Sequence, residues 1–403
     1  MAREEFHALV PNAERSAFLV DVDQRLPSVA VDTETSVVAA AVDGFREQHG
    51  LDAVFLRIAG WPGEPVRMLE FDSPRTRPRG SWTDLSGLRE VVPDELCNHA
   101  SRWADEQRGA PIPAQRPAWA RPGWHAEAMR WIRETAGDVD AIDLFRQWPL
   151  SAVFVAGTSA GERLYFKSCF ALFAHEAAVT HAMARRHPDL APAVVGVDVE
   201  RGWLLMRELT CAAEGVDEPR RALSALAGVH RAWAGRANEA RALGAPDRGL
   251  ATLYGEIEAT VDALGGPPEV AADLRRRVKE LDGLVPETLV HGDFHPWNVS
   301  VEGDRLVIFD WSDACVSHPL FDLPTLVHDR AGFDVDAVVD AYSSARNDLD
   351  ADVVRHAFAI AYPLACVHHA ISYRRIEAAL EPADRGLFAP VPGQFFGRAL
   401  ELL

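Results

Sequence analysis

Residues 291–298 read HGDFHPWN, and residues 308–313 read IFDWSD. The first stretch, rich in Gly, Pro and short polar residues, reads as a loop. It carries Asp293 and, five positions on, Asn298; Asp310 then closes the apolar run LVIF. Three side-chain oxygens delivered by a loop and a strand end suit one kind of chemistry. A triphosphate donor brings several negative charges, and transfer of its terminal group is catalysed mainly by placing the acceptor and neutralising that charge. Asp293 is the candidate base for an acceptor hydroxyl. Asn298 and Asp310 are candidate oxygen ligands for magnesium, a hard cation.

The interval from Asp293 to Asn298 equals that of the protein-kinase catalytic loop HRDxxxxN. Asp310 leaves a strand end as the DFG aspartate does, with Trp311 in place of Phe and Ser312 in place of Gly. Together, HGDFHPWN and IFDWSDA resemble the aminoglycoside phosphotransferase and choline kinase-like family of small-molecule kinases, over roughly residues 148–403. The resemblance implies an α+β, two-lobed protein-kinase-like fold. A small β-rich N-lobe would span 124–210, and a mainly helical C-lobe, with the catalytic loop and acceptor pocket, 211–403. The implied cofactors are ATP, or GTP in its place, and Mg2+. Lys167, closing LYFK, would hold the donor phosphates, and Glu176, nine residues on, would pair with it. WLLMREL becomes the interlobe hinge, where the backbone of Arg207, Glu208 and Leu209 would bind the adenine edge. Met206 would border the base or simply fill core. The turn AGTSAG is not the GxGxxG of protein kinases; it would cover phosphates through its amides and Ser159.

Each single residue has a plainer reading beside this one. A lone Lys ending a strand is ordinarily solvated, and a lone Glu on an Ala-rich helix ordinarily faces water. Their order upstream of the loop is what gives them a role. His291 reads as a loop brace, since Asp293 already fills the base role. His295 either touches the substrate or supports Asp293. Asp322, in SHPLFDL, resembles the family's HP..DL step, where the Asp braces the catalytic loop. His368, His369, Tyr373 and Arg374, on AFAIAYPLACVHHAISYRRI, either read the acceptor or form an ordinary helix surface. No Ala-Pro-Glu closes a long activation segment after Asp310, so a protein acceptor is not expected. The expected acceptor is a small hydroxylated molecule such as an aminoglycoside, a sugar or an amino alcohol.

Upstream, residues 108–123 (RGAPIPAQRPAWARPG) place Pro111, Pro113, Pro117 and Pro122 close together, which suits a connector. Before it, SAFLVDV, PSVAVD, AVFLRIAGW and PVRMLEFD alternate like strands and TSVVAAAVDGFREQHG reads as a helix, giving an α/β domain over 1–107. Its helix and following strand resemble those of Nudix hydrolases. Aligning Gly50 and Leu51 with that family's Gly-aliphatic step leaves Glu47 and Gln48 at its paired glutamates, and Asp43 and Gly44 at its Arg-Glu. Diphosphate hydrolysis needs several carboxylates around its cations. The domain therefore reads as a degenerate Nudix-like shell or an unrelated α/β unit. After the connector, hairpins are expected over SAVFVAGTSAGERLYFKSC and AVVGVDVERGWLLMREL, with a helix over FAHEAAVTHAMARRHP between them.

The 403 residues exceed the usual size of one hydrophobic core. A formal charge of -19 repels phosphate backbones and anionic membranes, so neither nucleic acid nor membrane is an expected partner. Five scattered cysteines without a CxxC pair, and no basic-then-apolar leader, lead to the expectation of reduced thiols in the cytoplasm. Oligomeric state is not readable. The competing function is a nucleotide-binding regulatory pseudokinase with a ligand-sensing N-terminal domain.

Overall fold

The structure, a computed structural model, describes residues 3–32, 37–59, 67–121, 123–209, 219–328 and 334–403. The chain forms two compact units, Met1–Phe170 with Ala379–Leu387, and Ala171–Ala378 with Phe388–Leu403.

The first unit opens with strands β1 (Arg3–Leu9), β2 (Phe18–Val20) and β3 (Ser28–Asp32), helix α1 (Val37–His49), and strands β4 (Phe55–Ala59) and β5 (Arg67–Phe71). A short strand β6 (Ser81–Thr83) pairs with β2, and helices α2 (Leu85–Val91) and α3 (Asp94–Gln107) follow. The main sheet runs β3-β1-β5-β4, with only β1 and β5 parallel. Side chains alternate across a strand, and here both faces are buried. Phe6, Ala8, Phe55, Leu69 and Phe71 pack with Ala41, Val42 and Phe45 of α1. Leu9, Leu56 and Met68 point the other way, onto Ala100, Trp103 and Ala104 of α3. The sequence reading missed β1, α2 and α3: a strand buried on both faces loses the polar alternation that marks strands.

The proline-rich segment is ordered where it is described. Arg116 is buried, bonded through Nη1 to Glu106 at 2.8 Å and through Nε to Glu381 at 2.7 Å, and Trp119 is 1% exposed. Helix α4 (Trp124–Ala136) then leads into an antiparallel meander of β7 (Val139–Trp148), β8 (Ser151–Thr158) and β9 (Arg163–Cys169). Leu144 of β7 packs on the α1 core, and Gln147 donates to the carbonyl of Leu56 at 2.8 Å.

The second unit holds helix α5 (Glu176–Arg186), the hairpin β10 (Val194–Asp198) and β11 (Trp203–Arg207), and helices α6 (Pro219–Trp233), α7 (Ala237–Ala242), α8 (Leu250–Ala263) and α9 (Pro268–Leu281). Next come β12 (Thr288–Val290), β13 (Val299–Glu302), β14 (Arg305–Ile308) and β15 (Cys315–Ser317). Helices α10 (Leu323–His328), α11 (Val335–Ala345), α12 (Ala351–Ala379) and α13 (Pro390–Glu401) complete it. Helical periodicity builds its core. Ala271, Leu274, Val278 and Leu281 form the buried stripe of α9, and the middle of α12 is buried on all sides. Two ribbons, β12 with β15 and β13 with β14, fix both ends of the 291–298 loop. The protein is thus mixed α+β, sheet-rich in its N-terminal region and helical in its C-terminal part, as its sequence leads one to expect.

Among the described residues no helix is long and apolar enough to cross a membrane. Among the described residues, Cys97, Cys169, Cys315 and Cys366 form no disulfide; Cys211 lies outside them.

Candidate active site

The loop leaves β12 at Val290 and is held from beneath by one carboxylate. Asp322, fully buried, accepts the amide of His291 at 2.8 Å and that of Gly292 at 2.7 Å, and faces His230 Nε2 at 3.0 Å. The support continues outward. His230 Nδ1 meets the Tyr342 hydroxyl at 2.8 Å, which accepts from Arg346 at 3.0 Å, and Arg346 is paired with Asp348. Burial alone would push the Asp322 carboxyl up, but the bond and charge of His230 carry it below the usual carboxylate range. Gly292 has φ 83°, and a Cβ there would lie 2.2 Å from the Asp313 carbonyl oxygen, so only glycine fits.

His291 is a brace in the geometry as well. Its Nδ1 accepts the Asp293 amide at 3.3 Å and its Nε2 donates to the Phe309 carbonyl at 2.9 Å, two contacts that a single neutral tautomer satisfies. The imidazole also lies 4.8 Å from the Trp311 ring.

Asp293, Asn298 and Asp310 come together within the second unit. The Asn298 side-chain amide donates to the Asp293 carbonyl at 2.9 Å, and the Phe309 amide donates to the Asn298 carbonyl at 3.0 Å. These bonds use the Asn298 side-chain NH2 and its backbone carbonyl. Asp310 adopts the left-handed conformation, φ 61° and ψ 62°. That conformation is uncommon for a non-glycine residue, and Asp is among those that tolerate it. Ser312 donates to Asp310 at 2.8 Å, with Asp313 3.2 Å from the same hydroxyl. The sequence reading did not single out Asp313. Burial first, then the charges of Asp293 and Asp310, push its carboxyl up to about 7. The charges of Asp293 and Asp310 thus both reach Asp313.

His295 stands between the loop's polar groups, its Nε2 3.3 Å from the Asp293 carboxylate and 3.2 Å from the Asn298 amide. Asp322 lies beneath the loop, bonded to its amides and fully buried. On α12, His368 and His369 are buried; burial lowers the pKa of both. His369 stacks on Phe395, which also stacks with Tyr373 at 5.8 Å, while Arg374 is half-buried.

The remaining candidates each belong to one of the two units. Lys167 sits on β9 of the first unit, 9% exposed, and Glu176 opens α5 of the second unit, 4% exposed. Ser159 lies in the turn between β8 and β9 with its hydroxyl on the Asp138 carboxylate. Met206 and Arg207 end β11, the Arg207 amide donating to Ala193 at 2.9 Å; Glu208 and Leu209 are half-buried.

The model of the phosphotransferase enzyme family matches residues 150–356, half of the chain. The chain belongs to that family. It is a small-molecule kinase by membership. Among solved structures, it is similar to an aminoglycoside 2'-phosphotransferase determined as its GDP complex, at 15% identity and TM-score 0.47, covering 69% of this chain and 96% of that one. A macrolide 2'-phosphotransferase from Brachybacterium faecium gives 21% identity and TM-score 0.43, covering 64% and 98%. The choline kinase LicA from Streptococcus pneumoniae gives 14% and 0.45, covering 69% and 98%. No curated protein matches. The family match begins at Leu150, and the Nudix-like reading of residues 1–107 is not confirmed.

Proposed function

We propose that the chain moves the γ-phosphoryl group of ATP, or of GTP, to a hydroxyl of a small polar molecule. The observation that carries this reading is the convergence of Asp293, Asn298 and Asp310 around one rigid loop. Asp293, its backbone fixed by Asn298 and His291, takes the proton of the acceptor hydroxyl as that oxygen attacks phosphorus. His295 holds the orientation of the carboxylate. Two side-chain oxygens are too few to cage a metal alone, but they suit Mg2+, which keeps several ligands for phosphate and water. Among the described residues no larger His, Cys, Asp or Glu cluster competes for a metal. Asn298 and Asp310 would hold the ion, and bound Mg2+ would offset the charge of the donor phosphates. In this reading 124–210 and 211–403 are the lobes, Lys167 and Glu176 serve the donor phosphates, and the segment from Met206 to Leu209 meets the base.

Turnover of Asp293→Asn on a panel of sugars, aminoglycosides and amino alcohols tests the base. The expected fall is roughly 10² to 10⁴ with nucleotide binding retained. Turnover equal to that of the unaltered protein would remove Asp293 from the role.

A further inference from the structure

Within the second unit, a cavity of about 470 Å³ adjoins the loop, a volume suited to a small ligand. Phe173 is among its apolar walls, and Ser312, Asp313, Ser372, Arg248 and Arg375 supply polar groups. Ser312 bonds Asp310 and Asp313 feels the charge of Asp293, so the cavity borders the proposed reacting centre.

Its two arginines differ. Arg375 is paired with Glu256 at 2.6 Å. Arg248 has no ion pair among the described residues: its guanidinium donates to the Ser372 hydroxyl at 2.6 Å and the His368 carbonyl at 3.0 Å, both neutral. Its Nε is buried and has no hydrogen-bond partner. The residue is also rigidly set, its amide donating to the Val316 carbonyl at 2.9 Å and its own carbonyl accepting from Ser317 at 3.0 Å. Burial lowers the Arg248 pKa from its ordinary value, but a guanidinium keeps its proton at any neutral pH. The charges of Asp313 and Glu256 reach the guanidinium, but no carboxylate bonds it, and enclosed cations are ordinarily paired directly. The missing anion is best supplied from outside. Planar bidentate recognition of carboxylate or phosphate is what a guanidinium does well.

We infer that this cavity takes the acceptor, and that the acceptor is a hydroxylated molecule bearing a carboxylate or phosphate that Arg248 binds. The inference rests on the phosphotransfer reading above and narrows its acceptor class: the anionic group anchors on Arg248, leaving a hydroxyl free to reach Asp293. Polycationic acceptors are disfavoured, since they would bring positive charge against an unpaired guanidinium.

The test saturates the protein with Mg2+ and a non-hydrolysable ATP analogue, then follows melting temperature. The probes are glucose, glucosamine, glucuronate, glucose 6-phosphate and inorganic phosphate. A ligand bound to the folded state raises the melting temperature. Glucuronate, glucose 6-phosphate and phosphate should raise it by several degrees, and glucose and glucosamine should not. A response to glucuronate alone, or to the two phosphates alone, identifies which anion Arg248 takes. Arg248→Gln should abolish the anion response while keeping the nucleotide response, and Arg248→Lys, which preserves the charge if the first variant does not fold, should keep a reduced one. The inference is overturned if no anion raises the melting temperature, if glucosamine or glucose does so instead, or if Arg248→Gln responds as the unaltered protein does. Failure of the nucleotide itself to stabilise the protein would count against the phosphotransfer reading, and is seen before any anion is added.

Discussion

Asp322→Ala should loosen the catalytic loop and destabilise the second unit together. The carboxylate accepts two backbone amides, those of His291 and Gly292, at 2.8 and 2.7 Å, and faces His230 at 3.0 Å, in a site with no exposure. Hydrogen bonds to a charged group are worth about 1.5–3 kcal/mol each, and a buried donor left unmet costs about 1–3 kcal/mol. Breaking a buried pair on one side costs about 3–5 kcal/mol. Those figures overlap rather than add, because the same desolvation enters each, so the loss should be about 3–5 kcal/mol. Urea unfolding followed by hydrogen exchange on the peptide covering 288–298 reads both effects. The transition of the second unit should move to lower urea, and the amides of His291 and Gly292 should lose protection. Asp322→Asn, which keeps the volume but turns an NH2 toward donors, should fall between. A loss under about 1 kcal/mol with both amides still protected would refute the bracing argument. The sign with pH follows from the lowered carboxyl. Its stabilisation is present above the ordinary Asp range and fades as pH falls through the folded-state value. Acid unfolding should accordingly begin at higher pH in Asp322→Asn.

Asp313 has the opposite sign. Its carboxyl is pushed up to about 7, so between its ordinary value and 7 the folded state holds a proton that the unfolded chain has lost. Stability therefore falls as pH rises through that window. Asp313→Asn should melt higher than the unaltered protein at pH 8, and the difference should vanish near pH 4, as scanning calorimetry at the two pH values would show. Gly292→Ala places a Cβ 2.2 Å from a backbone oxygen at φ 83°. It should cost ~3 kcal/mol or more and remove phosphotransfer with it, read as a melting shift and a turnover assay.

Much of this was legible in the sequence for a physical reason: short motifs that fix a loop must carry their special residues in order. HGDFHPWN folds as one loop in which the Asn298 side chain bonds the Asp293 carbonyl and His291 bonds as a brace. What the sequence hid was long-range. His230, Tyr342 and Arg346 reach the loop only through Asp322, from α6 and α11, and no local pattern marks a histidine that will be buried against a carboxylate 92 residues away. Arg248 looks like any loop arginine until its hydrogen-bond partners, the Ser372 hydroxyl and the His368 carbonyl, are seen to be neutral. The proline-rich segment reads as a bare connector, yet Arg116 is buried between Glu106 and Glu381, a partner 265 residues off. His368 and His369 look like a polar helix face in the sequence, whereas α12 is long enough to be enclosed on all sides, which buries both.

The most direct measurement is a calorimetric titration of Mg2+ and a non-hydrolysable ATP analogue into the unaltered protein and into Asp310→Ala. If Asp310 and Asn298 hold the ion against the triphosphate, the substitution should weaken binding by at least about tenfold, a change of ~1.4 kcal/mol, and the affinity of the unaltered protein should fall when Mg2+ is withheld. Equal affinities for the two proteins, with and without Mg2+, would contradict the account.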